Sequence, residues 1–274
     1  MLTIDQMREL SPAEARLLIR EGKLDQMGSV ADGYMQVNMV CLPEKYADDF
    51  REFCRRNPVP CPLVSETAVG DPTVVLDVQK HKLLENGNVA TDIPKYCVYH
   101  GGDLVSVEKN IVEQWKENYV GFLIGCSFSF EGALHKAGFP SRYRIKGTVV
   151  SMYKTNIKLC PSGVFKGYYV VSMRPIKADK IEEVRKITSK YGQCHGSPIA
   201  WGYEEALEIG IKDIAKPDYG DPIEILEDEI PVFWGCGVTP QYALVEANLP
   251  EEVYSHHPGF PLVLDIHEND FFGL

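Results

Sequence analysis

The run Val120-Gly-Phe-Leu-Ile-Gly125 is apolar and too short to be a helix, and its surroundings limit the folds open to this chain. Upstream, Val107, Ile111, Trp115 and Tyr119 recur every four residues, the spacing of an amphipathic helix. Downstream, Glu131 to Lys136 reads as the start of another helix. A helix–strand–helix order covers both faces of a sheet and argues for an α/β architecture.

Other segments fit that reading. Ser11-Pro-Ala-Glu14 has the form of a capping box with proline at the first helical position, and Gly22 is a natural stop, so residues 11–21 are expected to be helical. Pro43 opens a second helix with Tyr46, Phe50, Phe53 and Cys54 on one face, and Asn57-Pro58 ends it. Thr73-Val-Val-Leu-Asp77 reads as a short buried strand. Residues 95–107 read as a hairpin turning at His100-Gly-Gly-Asp103. Tyr168 to Met173 is a further strand. A helix over 179–190 turns Ile181, Val184, Ile187 and Tyr191 inward and stops at Gly192. The last quarter predicts strands at Ile223–Leu226, Ile230–Trp234, Tyr242–Glu246 and Leu262–Ile266. No internal repeat is visible, and no change in composition marks a domain boundary.

The 274 residues allow one large or two modest domains. Asp and Glu number 39 against 28 Lys and Arg, a formal charge of -11, which repels polyphosphate and argues against a nucleic-acid partner. Anionic substrates remain open, since a few cations in a cleft override the global field. Residues 1–10 lack the pattern of a signal peptide, and no apolar run approaches the roughly 18 residues that would span a bilayer. A cytoplasmic protein, or one of an organelle matrix if a targeting segment was removed, is expected, with no membrane partner. The eight cysteines form no CxxC pair and read as free, mostly buried thiols. Neither zinc nor iron–sulfur spacing is present, so no metal and no cofactor are expected.

Seven segments carry more polar and glycine residues than ordinary core or loop would. They are Asn57-Pro-Val-Pro-Cys-Pro-Leu63, Gly125-Cys-Ser-Phe-Ser-Phe-Glu131, Tyr153-Lys-Thr-Asn156, Val171-Ser-Met-Arg-Pro175, His195-Gly-Ser-Pro198, Lys216-Pro-Asp-Tyr-Gly-Asp221 and Val232-Phe-Trp-Gly-Cys-Gly-Val-Thr-Pro-Gln241. In this order they resemble the hydro-lyase family long described as a domain of unknown function, one branch of which contains the D-glutamate cyclases. The resemblance runs from about Asn38 to Ile266. It implies a layered α/β/α main domain, taken as residues 1–120 and 222–274, with a smaller α+β domain inserted at 121–221. It also implies a lyase that removes water from a small amino or carboxylic acid; in the cyclase branch, D-glutamate closes to 5-oxo-D-proline. Two positions depart from the family pattern. Lys154 stands where arginine is expected and cannot make a forked contact to a carboxylate. In Ser255-His-His-Pro-Gly259, His256 matches the pattern and His257 is an addition.

Lactam formation needs a deprotonated amine, a neutralised carboxylate and a proton for the departing oxygen. Gly125 to Glu131 offers the free N–H groups of a helix start, the Ser127 and Ser129 hydroxyls, and Glu131 as acid or base; the alternative is plain helix capping. His195, on a turn after a helix, is the second acid–base candidate, and His256 beside Pro258-Gly259 a weaker third; a structural histidine is the alternative in both cases. Arg174 is expected to grip a substrate carboxylate or to form a structural ion pair. Tyr153, Thr155 and Asn156 are expected to line the same cleft, unless they form a packed turn. Thr239 and Gln241 are further substrate contacts. Cys126 and Cys236 lie in glycine-bearing turns but read as small apolar residues rather than nucleophiles. The Gly235-Cys-Gly237 segment fails as a dinucleotide motif, lacking a third glycine and a following helix signal. The expected partner is a small carboxylate or amino acid, in a chain compatible with homo-oligomers. Two rival functions are a cysteine-dependent amidase or hydrolase, and a non-catalytic carboxylate-binding protein.

Overall fold

The structure, a computed structural model, describes residues 2–25, 30–76 and 83–274. Helices and two antiparallel sheets make it a mixed α/β fold. Its strands are β1 (Tyr34–Pro43), β2 (Leu63–Ala68), β3 (Asp71–Leu76), β4 (Tyr96–His100), β5 (Asp103–Glu108), β6 (Tyr119–Gly125), β7 (Ser151–Lys158), β8 (Tyr168–Lys177), β9 (Ala200–Trp201), β10 (Glu229–Gly235), β11 (Val253–His256) and β12 (Leu262–His267). The helices are α1 (Ile4–Arg8), α2 (Pro12–Arg20), α3 (Ala47–Arg56), α4 (Glu131–Lys136), α5 (Arg142–Lys146), α6 (Ile181–Thr188), α7 (Tyr203–Glu208), α8 (Val238–Ala247) and α9 (Glu268–Phe272). The larger sheet runs β3-β2-β6-β1-β11-β4-β5, with β12 also beside β1; the smaller runs β7-β8-β10-β9. β1 is central and buried almost throughout. Against its sheet α3 presents Phe50 and Phe53, and Phe50 meets Phe122 at 4.7 Å and Phe165 at 5.1 Å between ring centroids.

The two sheets contain the same substructure twice. β1 and β8 are each ten residues long. Each runs into a three-residue 3-10 turn, Glu44–Tyr46 or Ala178–Lys180, entered at φ -59, ψ 139 or φ -58, ψ 136, and then into α3 or α6. β6 pairs with β1 and β10 with β8, and both strands end on Gly-Cys followed by a turn into α4 or α8. Gly125 faces Val37 and Gly235 faces Val171, which fixes the correspondence. Ser129 and Thr239 then do one job: the Ser129 hydroxyl accepts from the Gln36 N–H at 2.9 Å and donates to its carbonyl, and the Thr239 hydroxyl does the same at Val170. The strands that follow are exchanged. β7, after α4, pairs with β8, whereas β11 and β12, after α8, pair with β1. In sequence the repeat leaves only Gly-Cys and a hydroxyl three residues later in each half; the rest of its register is carried by backbone pairing.

Several expectations hold. Ser11 and Glu14 form the capping box, and Gly22 takes a positive φ after α2. α3, the 96–108 hairpin with its Gly101-Gly102 turn, and β6, β8, β10 and β12 lie where the pattern put them. Others are corrected. Residues 109–118 form turns rather than a helix: Val107 is paired with Cys97 in β5, Tyr119 with Pro43 in β6, and the link between them makes a single helical turn, Ile111–Trp115. Tyr242 to Glu246 belongs to α8, not to a strand, and the same helix follows Gly235-Cys-Gly237, where no helix was expected. Residues 223–226 have no strand partner; Ile223 and Ile225 pack by side chain alone. The 73–77 segment is a half-exposed edge strand, with Asp77 outside the described residues. α6 ends at Thr188, before Gly192.

Because both clamps are buried, Ser129→Ala and Thr239→Ala should each cost about 1–3 kcal/mol, the usual cost of stranding a buried backbone partner. Chemical denaturation measures it, and one neutral variant of the pair would deny that the two turns are equivalent.

Candidate active site

β6 must end on glycine, since a Cβ at Gly125 would lie 1.7 Å from the Gln193 carbonyl oxygen. The tight Ser127–Phe130 turn that follows brings Glu131 inward, to 1% exposure. Arg174 reaches it from the middle of β8 and is 3% exposed. The guanidinium donates from Nε to Glu131 Oε1 at 2.6 Å, from Nη1 to Ser172 Oγ at 3.1 Å and from Nη2 to Ser127 Oγ at 3.0 Å. The Tyr143 hydroxyl donates to Glu131 Oε1 at 2.8 Å, and the Ser141 hydroxyl to Oε2. The Phe130 and Trp234 rings pack on the guanidinium at 5.1 and 5.2 Å. Burial opposes the charge on Arg174, but Glu131 outweighs it and raises the pKa. A pair this deep is tolerable because every guanidinium nitrogen and both carboxylate oxygens have hydrogen-bond partners. A cavity of about 440 Å³ opens on Arg174, Tyr143 and Ser141, with Lys177 and Lys180 also on its wall.

His195 sits where the two Gly-Cys turns meet. Its backbone has φ +78, uncommon for a residue with a side chain. Its Nδ1 lies 2.8 Å from the Val59 carbonyl oxygen, so Nδ1 carries the proton and Nε2 a lone pair. Nε2 is buried without a hydrogen-bond partner. Burial lowers the ring's pKa to about 4; the Val59 carbonyl pulls the other way, and the Arg174 charge lowers it further. Glu131, Arg174, Ser127 and His195 are thus brought together. Asn38 joins them, its amide donating to the Gly125 carbonyl at 3.4 Å and filling the space over Gly237.

The remaining candidates lie elsewhere or are otherwise engaged. Ser129 and Thr239 clamp backbone, as described. The Tyr153 hydroxyl donates to the Ile214 carbonyl, Thr155 to Tyr169, and the exposed Asn156 to Glu208. Lys154 lies 4.7 Å from the centroid of the Tyr242 ring. Gln241 donates to the Tyr99 hydroxyl at 2.6 Å, beside a separate cavity. His256 is buried in β11 with Nδ1 3.2 Å from the Met39 carbonyl oxygen, and burial lowers its pKa to about 4. Burial pushes both turn thiols up, Cys236 to about 11, which disfavours a thiolate nucleophile. Among the described residues no group of three His, Cys, Asp or Glu could hold a metal ion, and no helix is long and apolar enough to cross a membrane. Sequence reasoning missed Asn38, Ser141, Tyr143 and Ser172. Only Ser172 carried a signal, as a neighbour of Arg174 in the Val171–Pro175 segment.

A family profile described as D-glutamate cyclase matches residues 120–265. This chain belongs to the D-glutamate cyclase family. Its relatives include three proteins named "putative hydro-lyase". One from Schizosaccharomyces pombe is 51% identical over 259 residues, covering 94% of this chain and 85% of the relative. One from Corynebacterium urealyticum is 45% identical, covering 94% of each. YcsI of Bacillus subtilis is 43% identical, covering 94% of this chain and 98% of its own length. The resemblance read from the seven motifs is borne out, and with it the enzyme class, a lyase.

Two outcomes test this geometry. Arg174→Met should cost about 3–5 kcal/mol by leaving the Glu131 charge buried and unpaired, and adding Glu131→Gln should recover about half of that in a denaturation double-mutant cycle. The depressed pKa of His195 means that the unfolded chain takes up a proton that the native ring refuses. The ring therefore penalises the native state as pH falls from about 6.5 to about 4, and not above that window. Against a His195→Asn variant, wild-type stability should drop by on the order of 3 kcal/mol across that window. An unchanged difference would mean that the ring titrates alike in the native and unfolded states.

Proposed function

We propose that this protein closes D-glutamate to 5-oxo-D-proline, in the cavity over Arg174, with His195 in the field of the same guanidinium. The observation that carries the reading is the way Arg174 is held. Each guanidinium N–H given to Ser127 or Ser172 leaves that hydroxyl's own proton without an acceptor among the described residues. A buried cation thus polarises two O–H donors, which is what a γ-carboxylate needs before an amine can attack it.

The proton count closes within the substrate. The ammonium of D-glutamate loses two protons, its nitrogen bonds to the carbon of the γ-carboxylate, and one oxygen leaves that carbon with those two protons as water. No net acid or base is consumed. One residue that takes a proton from nitrogen and returns it to oxygen therefore suffices, and His195 Nε2, which keeps a lone pair without a partner, is the candidate. A ring with pKa about 4 is a weak base that readily gives the proton back. Since Nε2 is closed off from solvent, the two turns must part slightly as substrate enters. Glu131 has donors on both oxygens and acts by fixing Arg174 and Tyr143. The cavity wall carries Arg142, Arg174, Lys177 and Lys180 against Glu183 and Glu229, and this positive balance favours an acidic substrate over a neutral one.

Incubating the protein with D-glutamate should yield 5-oxo-D-proline, resolved by chiral chromatography, with the acid limb of kcat/KM near pH 4 rather than near 6.5. His195→Asn should lower turnover by at least ~100-fold. No lactam from D-glutamate alongside turnover of another acid would overturn the substrate; a near-normal rate in the variant would remove His195 from the proton path.

A further inference from the structure

The structural repeat assigns each active-site residue a counterpart in the other half. The register that sets Gly125 against Val37 and Gly235 against Val171 makes Gln241 the counterpart of Glu131 and Val40 that of Arg174. Both charges of the buried pair are lost together, as they must be, since either alone would be an uncompensated buried ion. A cavity nevertheless remains: about 280 Å³, lined by Gln241, Tyr99, Tyr219, Asp221, His257 and Leu104 among others.

We propose that this cavity is a second binding site, for a small aliphatic ammonium. Its wall supplies acceptors and a negative charge. Gln241 is 3% exposed and its Oε1 has no hydrogen-bond partner, so a buried acceptor there lacks a donor. His257 has Nδ1 3.1 Å from the Pro258 carbonyl oxygen, which puts the proton on Nδ1 and leaves Nε2 as a lone pair. Asp221 adds a carboxylate, tethered through Oδ2 to the Val149 N–H. No lysine or arginine lines the cavity, in contrast to the wall over Arg174. Tyr99 and Tyr219 add aromatic surface. The repeat therefore yields two cavities of opposite preference, one for acids and one for amines.

Calorimetric titration of the whole protein with n-butylammonium and with n-butyrate tests the site without any reaction. It does not depend on the D-glutamate reading, which can fail on its own assay while this site stands. Butylammonium should bind saturably and butyrate should not displace it. Gln241→Leu should weaken binding at least about tenfold. So should Leu104→Trp, which plugs the mouth from an exposed position on β5 and decides the matter if the Gln241 variant does not fold. Absence of butylammonium binding at millimolar concentration, equal binding of butyrate at this site, or wild-type affinity in a folded Leu104→Trp variant would overturn the proposal.

Discussion

Arg174 holds a positive charge where almost no water reaches it, and the site depends on that charge being satisfied. The compensation comes from both halves of the fold: Glu131 and Ser127 from the turn after β6, Ser172 from β8 itself, Tyr143 and Ser141 from the segment after α4. Removing any one donor or acceptor leaves another group buried with a vacancy. The two sheets are therefore tied by a network that tolerates little sliding, and their relative position fixes where the two serine hydroxyls point.

The exchange of strands between the halves serves the same end. β7 leaves the first turn-helix to join β8, and β11 and β12 leave the second to join β1, so each half completes the other's sheet. At the junction, glycine is dictated by backbone contact. Gly125 lies under the Gln193 carbonyl, and Gly235 lies close to Val59 and His195. The loops after α3 and α6 thus pack on each other's turns. His195 owes its unusual φ and its single tautomer to that crossing, because the carbonyl that fixes Nδ1 belongs to the loop after α3.

Much of this was legible where the local rule and the tertiary outcome agree. The Ser11–Glu14 box, the hairpin turning at Gly101-Gly102 and the apolar run of β6 carry their structure in their own residues. Legibility failed where burial removes the contrast that periodicity needs. α8 buries Val238, Thr239, Pro240, Gln241, Ala243 and Leu244, so no polar face marks it as a helix. β1 went unrecognised because Gln36 and Asn38 interrupt its apolar pattern; in the structure both are buried and bonded to backbone carbonyls. In the site, Glu131, Arg174 and His195 stood in unusual segments, whereas Tyr143 lies in a plain basic helix and only the fold shows its contact.

The same physics separates the histidines. His195 and His256 share deep burial, a carbonyl on Nδ1 and a pKa near 4, so titration alone cannot rank them. Their surroundings can. Arg174 contributes to the depression at His195, which places that ring in the field of the guanidinium, whereas His256 feels only its neighbour His257 among charged groups. A proton carrier for an acid must sit beside the group that binds the acid. Under the reaction proposed above, that requirement favours His195, whereas His256 is a buried strand residue with its ring against the Met39 carbonyl of β1.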